Sequence, residues 1–206
     1  GAVDGERKQR LISHIKNPNE MWSNAGVSAV DMSASYYFDD GYWNGNVWMS
    51  HQWFVWKTML DNGDTDFAFE IANRALEMWK EETDFTYFTY ECFGIKTRRG
   101  GWFHNFGGLS APICIWANAY YKPGPVTTGL DVWTDYQNVT DDSAEISFKY
   151  FGNNEKYSMI VTLSDKNSYK ATLNGKEVEF KLRNGGSLEF TFDKEGDKGI
   201  LKIETL

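Results

Sequence analysis

Two stretches of the chain hold most of the side chains with chemical potential. One is Tyr36-Tyr37-Phe38-Asp39-Asp40-Gly41-Tyr42-Trp43-Asn44-Gly45-Asn46-Val47-Trp48, and the other is Phe88-Thr89-Tyr90-Glu91-Cys92-Phe93 followed by Arg98-Arg99-Gly100-Gly101-Trp102-Phe103-His104-Asn105-Phe106-Gly107-Gly108. Glu91 lies among Phe85, Tyr87, Phe88, Tyr90 and Phe93. Rings that exclude water raise a carboxyl pKa, so a Glu here stays ionised only if cations or hydrogen-bond donors face it. Arg98 and Arg99 are the cations at hand; otherwise Glu91 is a surface carboxylate or a structural partner of an Arg. Tyr42, Trp43, Trp48 and Trp102 offer flat amphipathic rings of the kind that bind apolar ligand faces. Trp43 stands just before a predicted helix and Trp48 inside it, where core packing serves equally well. His104, in the Gly-rich stretch, suits a structural or a ligand contact, and His51 reads as a hydrogen-bonded core histidine.

The elements that must position these residues change character near the middle of the chain. Glu6 to Lys16 reads as a polar helix with a narrow stripe of Leu11, Ile12 and Ile15. Asn46 to Leu60 is apolar around nearly its whole circumference, as a helix buried on several sides would be. After Asp64 in an N-cap position, residues 65–82 return to amphipathic form, and 109–121 are again apolar on most sides. This order of outer, inner, outer, inner helices predicts an arc of a double-layered helical toroid. Its links at 17–45 and 83–108 are much longer than ordinary helix connections, and such loops usually carry function. With inner helices parallel to one another, both long loops open on one face. From about residue 130 the pattern alternates instead. Residues 144–151, 156–163, 169–173, 178–182, 188–192 and 200–203 read as short strands separated by turns, with Asn174-Gly175 the clearest hairpin signal. Tyr121-Lys122-Pro123-Gly124-Pro125 supplies the linker. The expected fold class is therefore an α+β multidomain protein: a partial (α/α)6 toroid over residues 1–128, then a small antiparallel β-sandwich over 129–206.

Composition bounds the partners. The chain has 206 residues and a net charge of −8, which argues against a nucleic-acid footprint with its clustered positive charge. No apolar run approaches the roughly 20 residues needed to span a bilayer. Aromatic residues make up 17% with nine Trp, more than core filling requires, and this surplus points to carbohydrate. Cys92 and Cys114 match neither a C-x-x-C pair nor a zinc spacing, and Asp61-Asn62-Gly63-Asp64-Thr65-Asp66 lacks the calcium-loop spacing, so no metal or other cofactor is expected.

Tyr42-Trp43-x-Gly45-x-Val47-Trp48 resembles the Tyr-Trp-Arg-Gly-Pro-Val-Trp element of family 63 glycoside hydrolases and their trehalase relatives. In that family a later loop carries a Glu, a Gly-rich stretch and then Phe-Gly-Trp-Ser/Thr, and here Glu91, Arg99-Gly100-Gly101 and Phe106-Gly107-Gly108-Leu109-Ser110 follow the same order. Pro18-Asn19-Glu20-Met21-Trp22 through Gly26-Val27 resembles the stretch before the first motif, so the likeness covers about residues 5–121. Asn44 replaces the family's Arg, Asn46 its Pro and Gly108 its Trp, at positions that line its sugar site.

The resemblance implies an inverting hydrolase of α-linked glucosides or mannosides, with Glu91 as catalytic base and Tyr42, Trp43, Trp48, Trp102 and His104 as substrate-binding residues. Inversion needs a second, protonated carboxyl roughly 6.5–9.5 Å from the base. The family's acid, an Asp, has no matching motif in these residues. The chain accordingly reads as the C-terminal portion of a larger enzyme, needing its N-terminal part or self-association to cover the inner helices. The alternative is a carbohydrate-binding or scaffolding remnant that has lost its chemistry.

Overall fold

The computed structural model describes residues 3–206, which fall into two compact units. The first takes in the described residues through Trp56 together with Phe69–Cys114, and the second Lys57–Ala68 with Ile115–Leu206. In chain order the helical part reads α1 (Gly5–Lys16), β1 (Trp22–Ser23), β2 (Gly26–Val27), α2 (Met49–Asp61), α3 (Thr65–Thr86), β3 (Tyr90–Phe93), β4 (Gly100–His104), the single turn α4 (Gly107–Ser110) and α5 (Pro112–Tyr121). There follow β5 (Val126–Thr128), β6 (Val132–Val139), β7 (Ala144–Tyr150), β8 (Lys156–Thr162), β9 (Tyr169–Leu173), β10 (Lys176–Glu177), β11 (Lys181–Leu182), β12 (Ser187–Asp193) and β13 (Lys198–Thr205).

The expectation of a partial (α/α)6 toroid is corrected by this arrangement. Among the described residues strands outnumber helices thirteen to five, and the few helices form no ring of hairpins. The physical reason lies in the two long segments expected as loops, whose backbone groups are satisfied by β-pairing. Trp22 pairs with Val27 in the hairpin β1–β2, and Tyr90 with His104 in β3–β4. Val47 joins the second hairpin: its N–H donates to the Phe93 carbonyl at 2.8 Å, and the Phe93 N–H donates back at 2.9 Å. An extended residue at 47 cannot be helical, which is why α2 begins at Met49 and not at Asn46. Likewise Pro112 divides the helix expected over 109–121 into α4 and α5.

Within the first unit a buried side chain from α2 acts as a third strand for the first hairpin. Gln52 donates through Nε2 to the Val27 carbonyl at 2.7 Å and accepts the Val27 N–H on Oε1 at 2.9 Å. Both groups would otherwise be buried orphans, because Gln52 and Val27 are almost fully enclosed.

In the second unit a five-stranded sheet (β10-β9-β13-β7-β6) and a four-stranded sheet (β11-β12-β8-β5) are both antiparallel and share one core, with Ile146, Phe148, Met159, Phe190 and Leu201 at its centre. Strand β7 shows why: Ala144, Ile146, Phe148 and Tyr150 point inward while Glu145, Ser147 and Lys149 alternate outward. Asn174 and Gly175, at φ of 52° and 80°, form the two-residue turn joining β9 to β10, and both left-handed values match the right-handed twist of the flanking strands. Asp64 caps α3 by accepting the Phe67 N–H on Oδ1 at 3.2 Å. Arg183 holds the fully buried Glu189 through two bonds of 2.9 Å.

Replacing Gln52 by Leu keeps the volume but strands the Val27 N–H and C=O. Each buried orphan costs about 1–3 kcal/mol, so Gln52→Leu should lower stability by about 2–6 kcal/mol. A urea titration followed by tryptophan fluorescence checks this, and a midpoint within error of wild type would contradict it.

Candidate functional site

The residues singled out by sequence fall in the first unit, and the Val47–Phe93 bridge brings their two segments together. Residues 38–46 form a closed loop: Phe38 N–H donates to the Asn44 carbonyl at 3.0 Å, Gly41 N–H to the Phe38 carbonyl at 2.8 Å and Asn46 N–H to the Gly41 carbonyl at 2.9 Å. Gly45 packs so tightly that a Cβ there would lie 1.9 Å from the Phe38 oxygen, so no other residue fits. The loop presents Tyr42 and Trp43. Trp43 stacks on Trp48 with centroids 3.9 Å apart and planes 6° from parallel, and the Trp48 indole N–H donates to the Tyr42 carbonyl at 2.8 Å. Trp48 is 1% exposed and Trp43 is 55% exposed, so the inner ring is a backing for the outer one.

Strands β3 and β4 bring the other half. Their register slips between Tyr90 and Cys92, so that Trp102 and Phe103 together stand opposite Glu91 in a β-bulge. Trp102 has φ of 66°, a left-handed conformation that a bulky residue adopts only when the surrounding structure holds it. Its ring meets Tyr42 edge-on at 4.8 Å and is 59% exposed. Glu91 is 6% exposed. The Tyr42 hydroxyl donates to Glu91 Oε1, while the buried Oε2 meets no hydrogen-bond donor among the described residues. That contact, then burial, push the Tyr42 phenol up to about 12, so Tyr42 is a donor at any ordinary pH.

Thus Tyr42, Trp43, Trp48, Trp102 and Glu91 form one connected group. His104 sits apart from these contacts, exposed, with its ring 4.8 Å from Phe88. Arg98 and Arg99 do not face Glu91: Arg98 reaches Glu81 at 3.2 Å, and Arg99 binds the buried Glu82 at 2.6 Å. Behind Glu91, Asn46 donates to Cys92 Sγ at 3.3 Å, and burial pushes the Cys92 thiol up to about 11, which keeps it uncharged. Both cysteines are free thiols. His51, read from sequence as a core residue, lies 5.8 Å from the Trp43 ring, and burial lowers its pKa so that it is neutral at pH 7. A grouping that sequence spacing did not reveal is His14, Glu20 and Asp31, whose ligand-type atoms lie within 4.8 Å of one another. In this structure His14 Nδ1 lies 2.9 Å from Glu20 Oε2 and its Nε2 3.4 Å from Asp31 Oδ2.

Residues 1–99 match the profile of the Mannosylglycerate hydrolase MGH1-like glycoside hydrolase domain. The first part of the chain is glycoside hydrolase-like. The match includes Tyr42, Trp43, Trp48 and Glu91, and it names the MGH1-like family where the sequence motifs resembled family 63. Among solved structures, an uncharacterized conserved protein from Thermus thermophilus is similar at 21% identity over 53% of this chain and 26% of its own, with a TM-score of 0.44. A GH127 β-L-arabinofuranosidase from Geobacillus stearothermophilus is similar at 13% identity over 92% of this chain and 36% of its own, with a TM-score of 0.31. The chain therefore spans only about a quarter to a third of these structures. No curated protein matches it.

Glu82 anchors the β4 side of the site. Burial pushes its carboxyl up, but the Arg99 guanidinium and the Gly100 N–H, at 2.6 and 2.9 Å, outweigh burial and hold it below the ordinary value of 4.5. A depressed acid contributes stability that is complete above its unfolded pKa and is lost as pH falls through the folded one. Glu82→Gln should therefore lose stability at neutral pH yet show a flatter decline below about pH 4.5 than wild type. Thermal melts from roughly pH 3 to pH 7 check it; parallel curves would exclude this role for Glu82.

Proposed function

We propose that this chain supplies the general-base side of an inverting glycoside hydrolase site acting on α-linked glucosides or mannosides, with Glu91 as the base. The observation that carries the reading is the enclosed Glu91 carboxylate, with one oxygen held by the Tyr42 hydroxyl and the other without a protein donor inside a group of aromatic rings. A buried acceptor without a partner is costly, and a substrate water is the donor this chemistry requires. Tyr42 fixes the carboxylate's orientation. Trp43, braced by Trp48, and Trp102 offer exposed rings to the sugar, and His104 lies at the outer edge of the same hairpin. Mannosylglycerate, which the matched family's description names, falls within the mannoside class.

In the reaction the water proton passes to Glu91 Oε2 as the water oxygen attacks the anomeric carbon from the face opposite the departing group. The bond to the leaving oxygen breaks, and that oxygen takes its proton from a general acid. In this reading the acid is contributed by a further segment of the enzyme or by a second copy of the chain. The chain alone then lacks the roughly 10² to 10⁴-fold that acid catalysis typically contributes.

Glycosyl fluorides separate the two roles, because fluoride leaves without a proton. The purified chain should hydrolyse α-glucosyl or α-mannosyl fluoride with the β-hemiacetal as first product by NMR, and it should leave the corresponding disaccharides intact. Glu91→Gln should cut the fluoride rate by about 10² to 10⁴. Fluoride hydrolysis no faster than the background, or unchanged in Glu91→Gln, would remove Glu91 as a base; retained sugar binding would then favour the non-catalytic carbohydrate-binding reading.

A further inference from the structure

The outer face of the five-stranded sheet in the second unit is unlike an ordinary solvated sheet surface. Directly opposed residues of antiparallel strands share a face, so the register aligns them in rows. Trp133, Lys149 and Lys198 make one row across β6, β7 and β13; Tyr136, Ser147 and Ile200 make the next; Asn138, Glu145 and Lys202 make the third. Trp133 is 65% exposed and meets the equally exposed Phe151 edge-on at 5.4 Å, while Tyr136 and Ile200 are also exposed. Ser147, the smallest residue of its row, leaves a low floor between Tyr136 and Ile200. Where the first row ends, a cavity of about 400 Å³ opens, lined by Lys149, Phe151, Gly152, Lys194, Asp197 and Lys198.

The charges here nearly cancel. Lys149 pairs with Asp135 at 2.9 Å, Lys202 with Glu145 at 3.3 Å and Lys170 with Glu204 at 3.2 Å. Lys194 is bonded to the Gly152 carbonyl at 2.9 Å, and Asp197 and Asp131 stand beside Lys198 and Gly152. An apolar protein partner would leave these paired charges desolvated, which costs more than it returns. An acidic ligand would find little net positive potential. A neutral ligand with hydroxyls for the ammonium and carboxylate groups, and apolar C–H faces for Trp133, Phe151 and Tyr136, matches both halves of the surface.

We infer that this sheet face and its adjoining cavity bind a neutral oligosaccharide, as a carbohydrate site separate from the Glu91 group. The inference does not rest on the role of Glu91. It is tested by affinity gel electrophoresis of the full chain carrying Trp43→Ala and Trp102→Ala, which remove the two exposed tryptophans of the first unit's aromatic group. Amylopectin, α-mannan and mixed-linkage β-glucan are the neutral probes and polygalacturonate the acidic one. At least one neutral polysaccharide should retard the protein, and adding Trp133→Ala should weaken that retardation about tenfold or more. Ser147→Arg, which fills the floor without touching the core, should do the same. No retardation by any neutral probe, retardation by polygalacturonate alone, or indifference to both substitutions would overturn the inference. So would a concentration-dependent dimer by light scattering that Trp133→Ala abolishes, since the face would then be covered by a second copy.

Discussion

Two backbone hydrogen bonds between Val47 and Phe93 are the constraint on which the candidate site depends. They join segments that have no local reason to meet: the closed loop 38–46 ahead of α2 and the hairpin β3–β4 after α3. Once Val47 is paired, Trp48 is fixed one residue later and Glu91 two residues before Phe93, and the Tyr42 hydroxyl reaches a carboxylate 49 positions away. The stacked Trp43–Trp48 pair and the indole bond to the Tyr42 carbonyl then lock the loop against the start of α2. Backbone pairing suits this task, because it sets position and orientation together without calling on the side chains that a ligand needs.

A second layer of interactions ties the hairpin to α3. Arg98 and Arg99, just ahead of β4, bind Glu81 and Glu82 on α3. Their charge is spent on anchoring, so Glu91 is oriented by a neutral phenol instead of a cation. The bulge opposite Glu91 serves the same geometry, since the extra residue turns Trp102 back over Tyr42 at the cost of a left-handed backbone.

The second unit is built by different means. Its two sheets exchange alternating side chains into one core, and two of its buried carboxylates are paired: Glu189 with Arg183, and Asp61 with the Leu130 and Asp131 amides at 2.9 and 3.0 Å. Burial raises the Asp61 carboxyl, and those two amide bonds oppose the shift. With these interior groups satisfied, the unit places its surplus of rings on the outside, at the edge strand β6.

Local features of the sequence determined what short-range physics controls. The alternation of β7 and β13, the left-handed turn at Asn174-Gly175 and the cap at Asp64 were legible because each is decided within a few residues. The aromatic composition and the order of motifs pointed to a glycoside hydrolase, and the match over residues 1–99 bears out that class. Strand β6 was not legible, since six successive exposed residues leave no alternation to read at a sheet edge. Apolar coverage of 46–60 and 109–121 suggested a helical toroid, but coverage reports only that a face is buried and not what buries it. Tertiary structure alone decided that the long loops pair as β-hairpins, that the arginines serve Glu81 and Glu82, and that Tyr42 holds Glu91. Each of those outcomes is a choice among distant partners, which depends on which segments the chain brings within a few ångströms and leaves no periodic trace in the residues themselves.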